Sequence, residues 1–211
     1  MFDTKTNLFV IFAPGLGGNH LANVLSLSKQ FHSRVNYDVY NSDSIKAHLP
    51  GVGVTNLQLP SIEKELSTLK NQSNVFCGHW LEYMQLKESS LIDCFPNRSF
   101  CIMQIPQLGS LLYNRFLKFN RWGTPWLFTE VSALYNSMKN IKKLFDEPSS
   151  TFAHVLPDLL SDQNIELVLN DISRQGISLD IDINVAQDLH NKWMDKNFTI
   201  NNDLSTTSKK E

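Results

Sequence analysis

Leu8-Phe9-Val10-Ile11-Phe12 is an unbroken apolar run of β-forming residues closed by Pro14-Gly15. A run without polar alternation predicts a strand buried on both faces, as in parallel sheets. Leu21, Val24 and Leu25 then recur at helical spacing and predict a helix from about Asn19 to Gln30. Arg34 to Tyr40 alternates and predicts an edge strand, whereas Leu49 to Leu59 contains Pro50, Gly51 and Gly53 and predicts a loop. Ile62 to Leu69 predicts a helix opened by Ser61. Val75-Phe76-Cys77 predicts a short strand ending at Gly78, and Ser99 to Met103 a second, ending near Pro106. Helices are expected from Leu108 to Lys118 and from Glu130 to Phe145, the latter capped by Thr129. Phe152 to Val155 predicts a last strand, followed by helices over Asp162 to Arg174 and Ile183 to Lys196. Strands alternating with helices predict βαβ units: an α/β fold with a mainly parallel central sheet flanked by helices.

With 211 residues and no internal repeat, the chain predicts one domain over residues 1–200 and a polar, disordered tail over 201–211. The formal net charge of −2 provides no global field for nucleic acid or an acidic membrane, so any basic site must be local. No segment approaches the roughly 20 apolar residues of a membrane span. The short apolar run near the N-terminus follows Asp3 and lacks the basic start of a secretory signal, so the expected compartment is cytoplasmic. Cys77, Cys94 and Cys101 are odd in number and form no C-x-x-C pair; they predict reduced core or strand cysteines.

The sharpest chemical signal is the turn Gly15-Leu16-Gly17-Gly18-Asn19-His20 between a strand and a helix. Such a turn aims several backbone N–H groups at one point, where the helix start adds partial positive charge. Glycines let the backbone approach an anion without a Cβ clash. On this reading Gly17→Val or Gly18→Val would place a side chain where the anion sits. The competing reading is a plain tight turn. A Walker A loop would need Lys and Ser/Thr after the glycines, and neither is present, which disfavours a P-loop nucleotide kinase. A dinucleotide G-x-G-x-x-G would need glycine at His20. His20 falls in the first helical turn, where its ring can donate to an anion, cap, or pack locally.

Gly78-His79 follows a buried strand and so places an imidazole at the carboxyl edge of the sheet, where open α/β sheets bind ligands. Histidine is suited to take a proton near neutral pH; the bland reading is a loop histidine with a local hydrogen bond. Gln104-Ile105-Pro106 leads to Ser110, Arg115 and Lys118, which together can meet a second anion or form an ordinary helix start with a solvated basic face. The aromatic stretch Asn120 to Trp126 predicts a substrate lid or a cover over the core. No His/Cys/Asp/Glu set has metal-ligand spacing, and no G-x-S-x-G elbow occurs.

In this order the three constellations resemble the sulfotransferase family, which has a P-loop NTPase-like fold and uses the donor PAPS (3′-phosphoadenosine 5′-phosphosulfate). Gly17-Gly18-Asn19-His20 is similar to the family's S-G-T-T donor loop, Gly78-His79 to its Gly-His catalytic base, and Gln104-Ile105-Pro106 with Ser110 to the R-x-P turn and serine that hold the 3′-phosphate. Leu189-His190-Asn191-Lys192-Trp193 with Asn197 resembles the family's last helix. The departures are Leu16 in place of a basic residue, Asn19 and His20 in place of the Thr pair, Gln104 in place of arginine, and a serine about two residues early. The resemblance implies transfer of a sulfuryl group from PAPS to a hydroxyl or amine of a glycan, lipid, protein or small molecule. It implies His79 and His20 as catalytic residues and Gly15, Gly17, Gly18, Asn19, His20, Leu21, Gln104, Ser110 and Arg115 as donor-binding residues. The alternative is a non-catalytic relative of the fold that binds a nucleotide or other anion.

Overall fold

The computed structural model describes residues 5–13, 15–31, 54–104, 107, 110, 150–162 and 164–198. The expected edge strand at Arg34 to Tyr40, the helices of 108–118 and 130–145, the aromatic stretch 120–126 and the tail lie outside these residues. Five strands form one parallel sheet: β1 (Asn7–Ile11), β2 (Val54–Asn56), β3 (Asn74–Gly78), β4 (Arg98–Met103) and β5 (Thr151–Val155). The four longer strands run in the order β3-β1-β4-β5, and the short β2 extends the sheet beside β3. Ile11 pairs with Gly78 on one side and with Ile102 on the other, so β1 is central and its register brings three strand ends level.

Five helices are present among the described residues: α1 (Gly18–Leu25), α2 (Leu59–Leu69), α3 (Trp80–Glu88), α4 (Ile165–Arg174) and α5 (Ile183–Phe198). β1 is buried at every position, as its uninterrupted apolar run requires. On one face Phe9 stacks between Phe76 and Phe100, at centroid distances of 4.8 and 5.3 Å, with Tyr83 of α3 and Phe95 meeting it edge-on. On the other face α1 packs against α5 and β3, and α4 against α5 and β5. Sheet edges expose unpaired backbone groups. On β5 the Gln175 side chain acts as a substitute strand there: its Oε1 accepts from the His154 N–H at 2.7 Å and its Nε2 donates to the His154 carbonyl at 3.0 Å. No described helix is long and apolar enough to cross a membrane.

Several elements differ from the sequence expectation. Val54–Asn56 is a strand inside a stretch expected to be loop, recruited by pairing with β3. α3 was not expected; Trp80, Tyr83 and Leu86 form its buried stripe, but the apolar Leu81 and Met84 lie outside that stripe and blur the helical period. α1 stops at Leu25 rather than near Gln30, because Leu27 and Ser28 close tighter turns onto Val24 and Leu25. Cys77 and Cys101 are buried, as expected of core cysteines, but Cys94 is exposed.

Candidate functional site at the carboxyl edge of the sheet

β3 and β4 lie on opposite sides of β1, so the strand order reverses beside β1, and the carboxyl ends of the strands at such a point are where open α/β sheets bind ligands. The glycine turn leaves β1 there. Gly15 and Gly17 have φ of 86° and 81°, a left-handed backbone that fits glycine. Gly17 is the N-cap of α1 and gives it no side-chain cap, and no acidic residue stands in the first turn. Helix geometry therefore leaves the N–H groups of Gly18 and Asn19 without intrahelical acceptors at the carboxyl edge of the sheet, with the positive end of the helix behind them.

The glycines also have a packing reason that the sequence did not reveal. A Cβ on Gly18 would fall 1.9 Å from the Phe12 ring, and one on Gly17 would fall 2.9 Å from Trp193 Cζ2. Rings, rather than open space, fill the Cβ side of both residues. Gly18→Ala is accordingly expected to lower stability by about 1–3 kcal/mol by displacing the Phe12 ring. Urea denaturation of Gly18→Ala in the parent and in a Phe12→Ala background checks this, because the cost should largely vanish once the ring is gone. An equal cost in both backgrounds would remove Phe12 as the cause.

The remaining residues of the turn point inward. Leu21 is fully buried and its N–H donates to the Gly17 carbonyl at 3.0 Å, so it offers a ligand nothing. The Asn19 side-chain carbonyl accepts from Cys77 Sγ at 3.6 Å. Burial, with the Glu82 carboxylate adding to it, pushes the Cys77 thiol up to about 12, so Cys77 stays protonated and is no nucleophile. His20 is 2% exposed and faces α5. Its ring stacks on Trp193 at 4.3 Å and 4°, and its Nε2 lies 3.0 Å from His190 Nδ1. His190 Nε2 in turn lies 2.7 Å from the Asp162 carbonyl. A carbonyl only accepts, so His190 Nε2 carries a proton; its Nδ1 is then the acceptor and His20 Nε2 the donor. His20 thus serves the α1–α5 contact.

His79 is the N-cap of α3, immediately beyond β3. Its side chain is 24% exposed, and its Nδ1 lies 3.9 Å from Glu82 Oε2. The same Glu82 oxygen accepts from the His79 backbone N–H, which pins the residue at the helix start. Gly78 is required here, because a Cβ would meet Glu82 Oε2 at 2.5 Å and Leu57 Cβ at 2.7 Å. The Phe12 ring meets the imidazole edge-on at 5.3 Å and also covers Gly18, so it stands between His79 and the glycine turn. Glu82 and Phe12 were both missed from sequence. A carboxylate three residues after a strand-end histidine was the available signal for the first.

Beyond β4, the Gln104 N–H donates to the Val155 carbonyl at 2.9 Å and continues the ladder to β5. Gln107 N–H donates to Asp158 Oδ2 at 2.7 Å, and Ser110 N–H to the Gln107 carbonyl at 3.1 Å. These bonds hold Gln104 at the carboxyl end of β4 and tie Ser110, through Gln107, to the helical turn that follows β5. Arg115 and Lys118 lie outside the described residues. No group of three metal-ligating side chains occurs among the described residues. Comparison with protein-family models, with curated proteins and with solved structures finds no match for this chain.

Proposed function

We propose that the chain is a small sulfotransferase-like protein that binds the phosphosulfate of PAPS at the glycine turn and transfers the sulfuryl group to a hydroxyl or amine. One observation carries the reading. The start of α1, without a side-chain cap, and the His79–Glu82 pair follow the adjacent parallel strands β1 and β3, whose ends are level at Ile11 and Gly78. Fit to the donor rests on backbone groups. The N–H groups of Gly18 and Asn19 and the α1 dipole are suited to an anion, whereas positions 16 and 104, where the resembling family has basic residues, carry Leu and Gln.

When bound, the donor supplies an activated sulfuryl group and leaves as 3′,5′-ADP. The chain's own tasks are then to position the reactants, to balance charge and to move one proton. His79 takes the proton of the acceptor as its oxygen or nitrogen forms the new bond to sulfur. Glu82, 3.9 Å away, stabilises the imidazolium that results. Ser110 would receive the 3′-phosphate, with Arg115 or Lys118 as the charged partner that the sequence offers.

A second reading is favoured by the rings over the glycines. Phe12 and Trp193 account for glycine at both positions without any anion, as in a relative that keeps the fold and has lost the reaction. Calorimetry with PAPS, 3′,5′-ADP, 5′-AMP and ATP with Mg²⁺ separates these cases. The proposal expects PAPS and 3′,5′-ADP to bind at least about tenfold more tightly than 5′-AMP, the equivalent of one lost charge-assisted contact of about 1.5 kcal/mol. Equal affinity for 3′,5′-ADP and 5′-AMP would remove the PAPS site, and binding of none of the four would leave the non-catalytic reading. Preference for ATP with Mg²⁺ would favour a P-loop nucleotide kinase.

A further inference from the structure

The reaction proposed above does not use the buried His20–His190 pair. We propose that this pair is a proton-operated latch, in which neutral rings hold the glycine turn against α5 and their protonation releases it. The inference stands on the packing and does not depend on what the candidate site binds. The two rings come from positions 170 residues apart, and they are 2% and 0% exposed. They form a directed chain, from His20 Nε2–H to His190 Nδ1 and from His190 Nε2–H to the Asp162 carbonyl. Trp193 lies flat on His20 and reaches the Cβ side of Gly17. One hydrogen-bonded cluster thereby joins the first turn of α1, the middle of α5 and the segment after the short helical turn Pro157–Ser161.

The charges around the pair decide its response to acid. From α1 comes the positive end of the helix itself, because His20 is its third residue. From the segment after the Pro157–Ser161 turn comes Asp162, whose carbonyl faces His190 and whose carboxylate accepts from the Asn164 N–H at 3.1 Å. From α5 comes the π face of Trp193, which attracts a cation. Burial opposes all of this. At His190 it lowers the pKa below the ordinary 6.5, against the raising effects of the hydrogen bond to Asp162 and of its charge.

A first proton enters at His20 Nδ1, because the lone pair of His190 Nδ1 already accepts from His20 Nε2–H; it keeps the bond between the rings at the cost of a buried cation. A second makes both facing nitrogens donors 3.0 Å apart, and the bond between the helices is lost. The pair therefore titrates in two coupled steps. Because the folded His190 binds protons less readily than the unfolded one, its contribution to stability is complete above pH 6.5 and declines as the pH falls below it.

The test follows amide hydrogen exchange in the full chain between about pH 7.5 and pH 5.5, a range that brackets free imidazole titration. Rates are corrected for the intrinsic pH dependence, and α1 and α5 are compared with α2. The latch expects protection in α1 and α5 to fall at least about tenfold relative to α2, the equivalent of one pKa unit. In His20→Phe/His190→Leu, which keeps a ring on Trp193 and has nothing to titrate, the ratio should be flat. Ring nitrogen resonances of the parent chain give a second readout that does not depend on that variant folding. At the higher pH both rings should be neutral with the proton on Nε2. A charged ring there, or a parent exchange ratio independent of pH, would overturn the latch.

Discussion

Trp193→Ala is expected to lower the stability of the chain by about 3–5 kcal/mol, the cost of truncating a buried tryptophan. The indole is 4% exposed and packs on several sides at once. It lies parallel to His20, contacts His190 at 5.8 Å between centroids, meets Phe198 edge-on at 5.2 Å, and reaches Gly17. No small rearrangement fills that space, because the surrounding groups belong to α1, α5 and the β1–α1 turn. In a chain of this size the loss corresponds to a fall in melting temperature of about 6–20 °C. Urea denaturation measures it, and a loss under about 1 kcal/mol would show that the site collapses around the deletion. Phe9→Ala gives the comparison. Phe9 is fully buried in the aromatic cluster on the opposite face, so its truncation should cost about as much. Only the Trp193 variant should selectively lose exchange protection in α1, from the Leu21 N–H onward.

The fold was legible where one residue type serves one purpose. The run Leu8 to Ile11 can only be a strand covered on both faces, and it is the central strand of the sheet. The strands at Val75 and Ser99 were found for the same reason, and the half-buried one at Phe152 from its β-forming residues, each within one residue at its start. α3 was not, because the apolar Leu81 and Met84 lie outside the stripe of Trp80, Tyr83 and Leu86 and leave no clear one-faced pattern. β2 was hidden by Pro50, Gly51 and Gly53 just before it, and its partner β3 decides its conformation.

The candidate site was legible as a set of positions but not as a set of directions. Strand ends placed the glycine turn, His79 and Gln104 at one edge of the sheet. Which way His20 points depends on a contact with His190, 170 residues away, and no local pattern encodes that. A signal was nevertheless present in α5. Ala186, Leu189, His190 and Trp193 share one buried face, and a histidine in such a stripe needs a polar partner from another element. The same limit applies to Gly17 and Gly18. Their small size was legible, but the rings of Phe12 and Trp193 that require it were not.

His79→Ala should reduce sulfuryl transfer by roughly 10²–10⁴-fold while donor binding stays within about twofold, as expected for removal of a general base. The change removes the half of the α3 cap in which the imidazole accepts from the Glu82 N–H, at a cost of about 1 kcal/mol, and keeps the half made by the backbone N–H of residue 79, so the fold should survive. Glu82 accepts from that N–H, and alanine keeps it. The imidazole is partly exposed, so its loss leaves no sealed cavity. Glu82→Gln provides the second arm. It keeps the shape of the side chain and removes the charge 3.9 Å from His79 Nδ1, so the imidazolium loses its partner. Transfer should then fall while donor binding stays within about twofold, because the positive charge that forms on the ring as it takes the proton has no counter-charge beside it. A purely structural histidine gives a different pattern: His79→Ala lowers stability by about 1–3 kcal/mol through a lost hydrogen bond and leaves transfer unchanged. Transfer from PAPS to any acceptor hydroxyl the parent chain uses, measured with 3′,5′-ADP binding and urea stability on the same preparations, separates the two. Full activity in His79→Ala would end its role as base. A loss of transfer matched by an equal loss of donor binding would assign His79 to the binding of the donor instead.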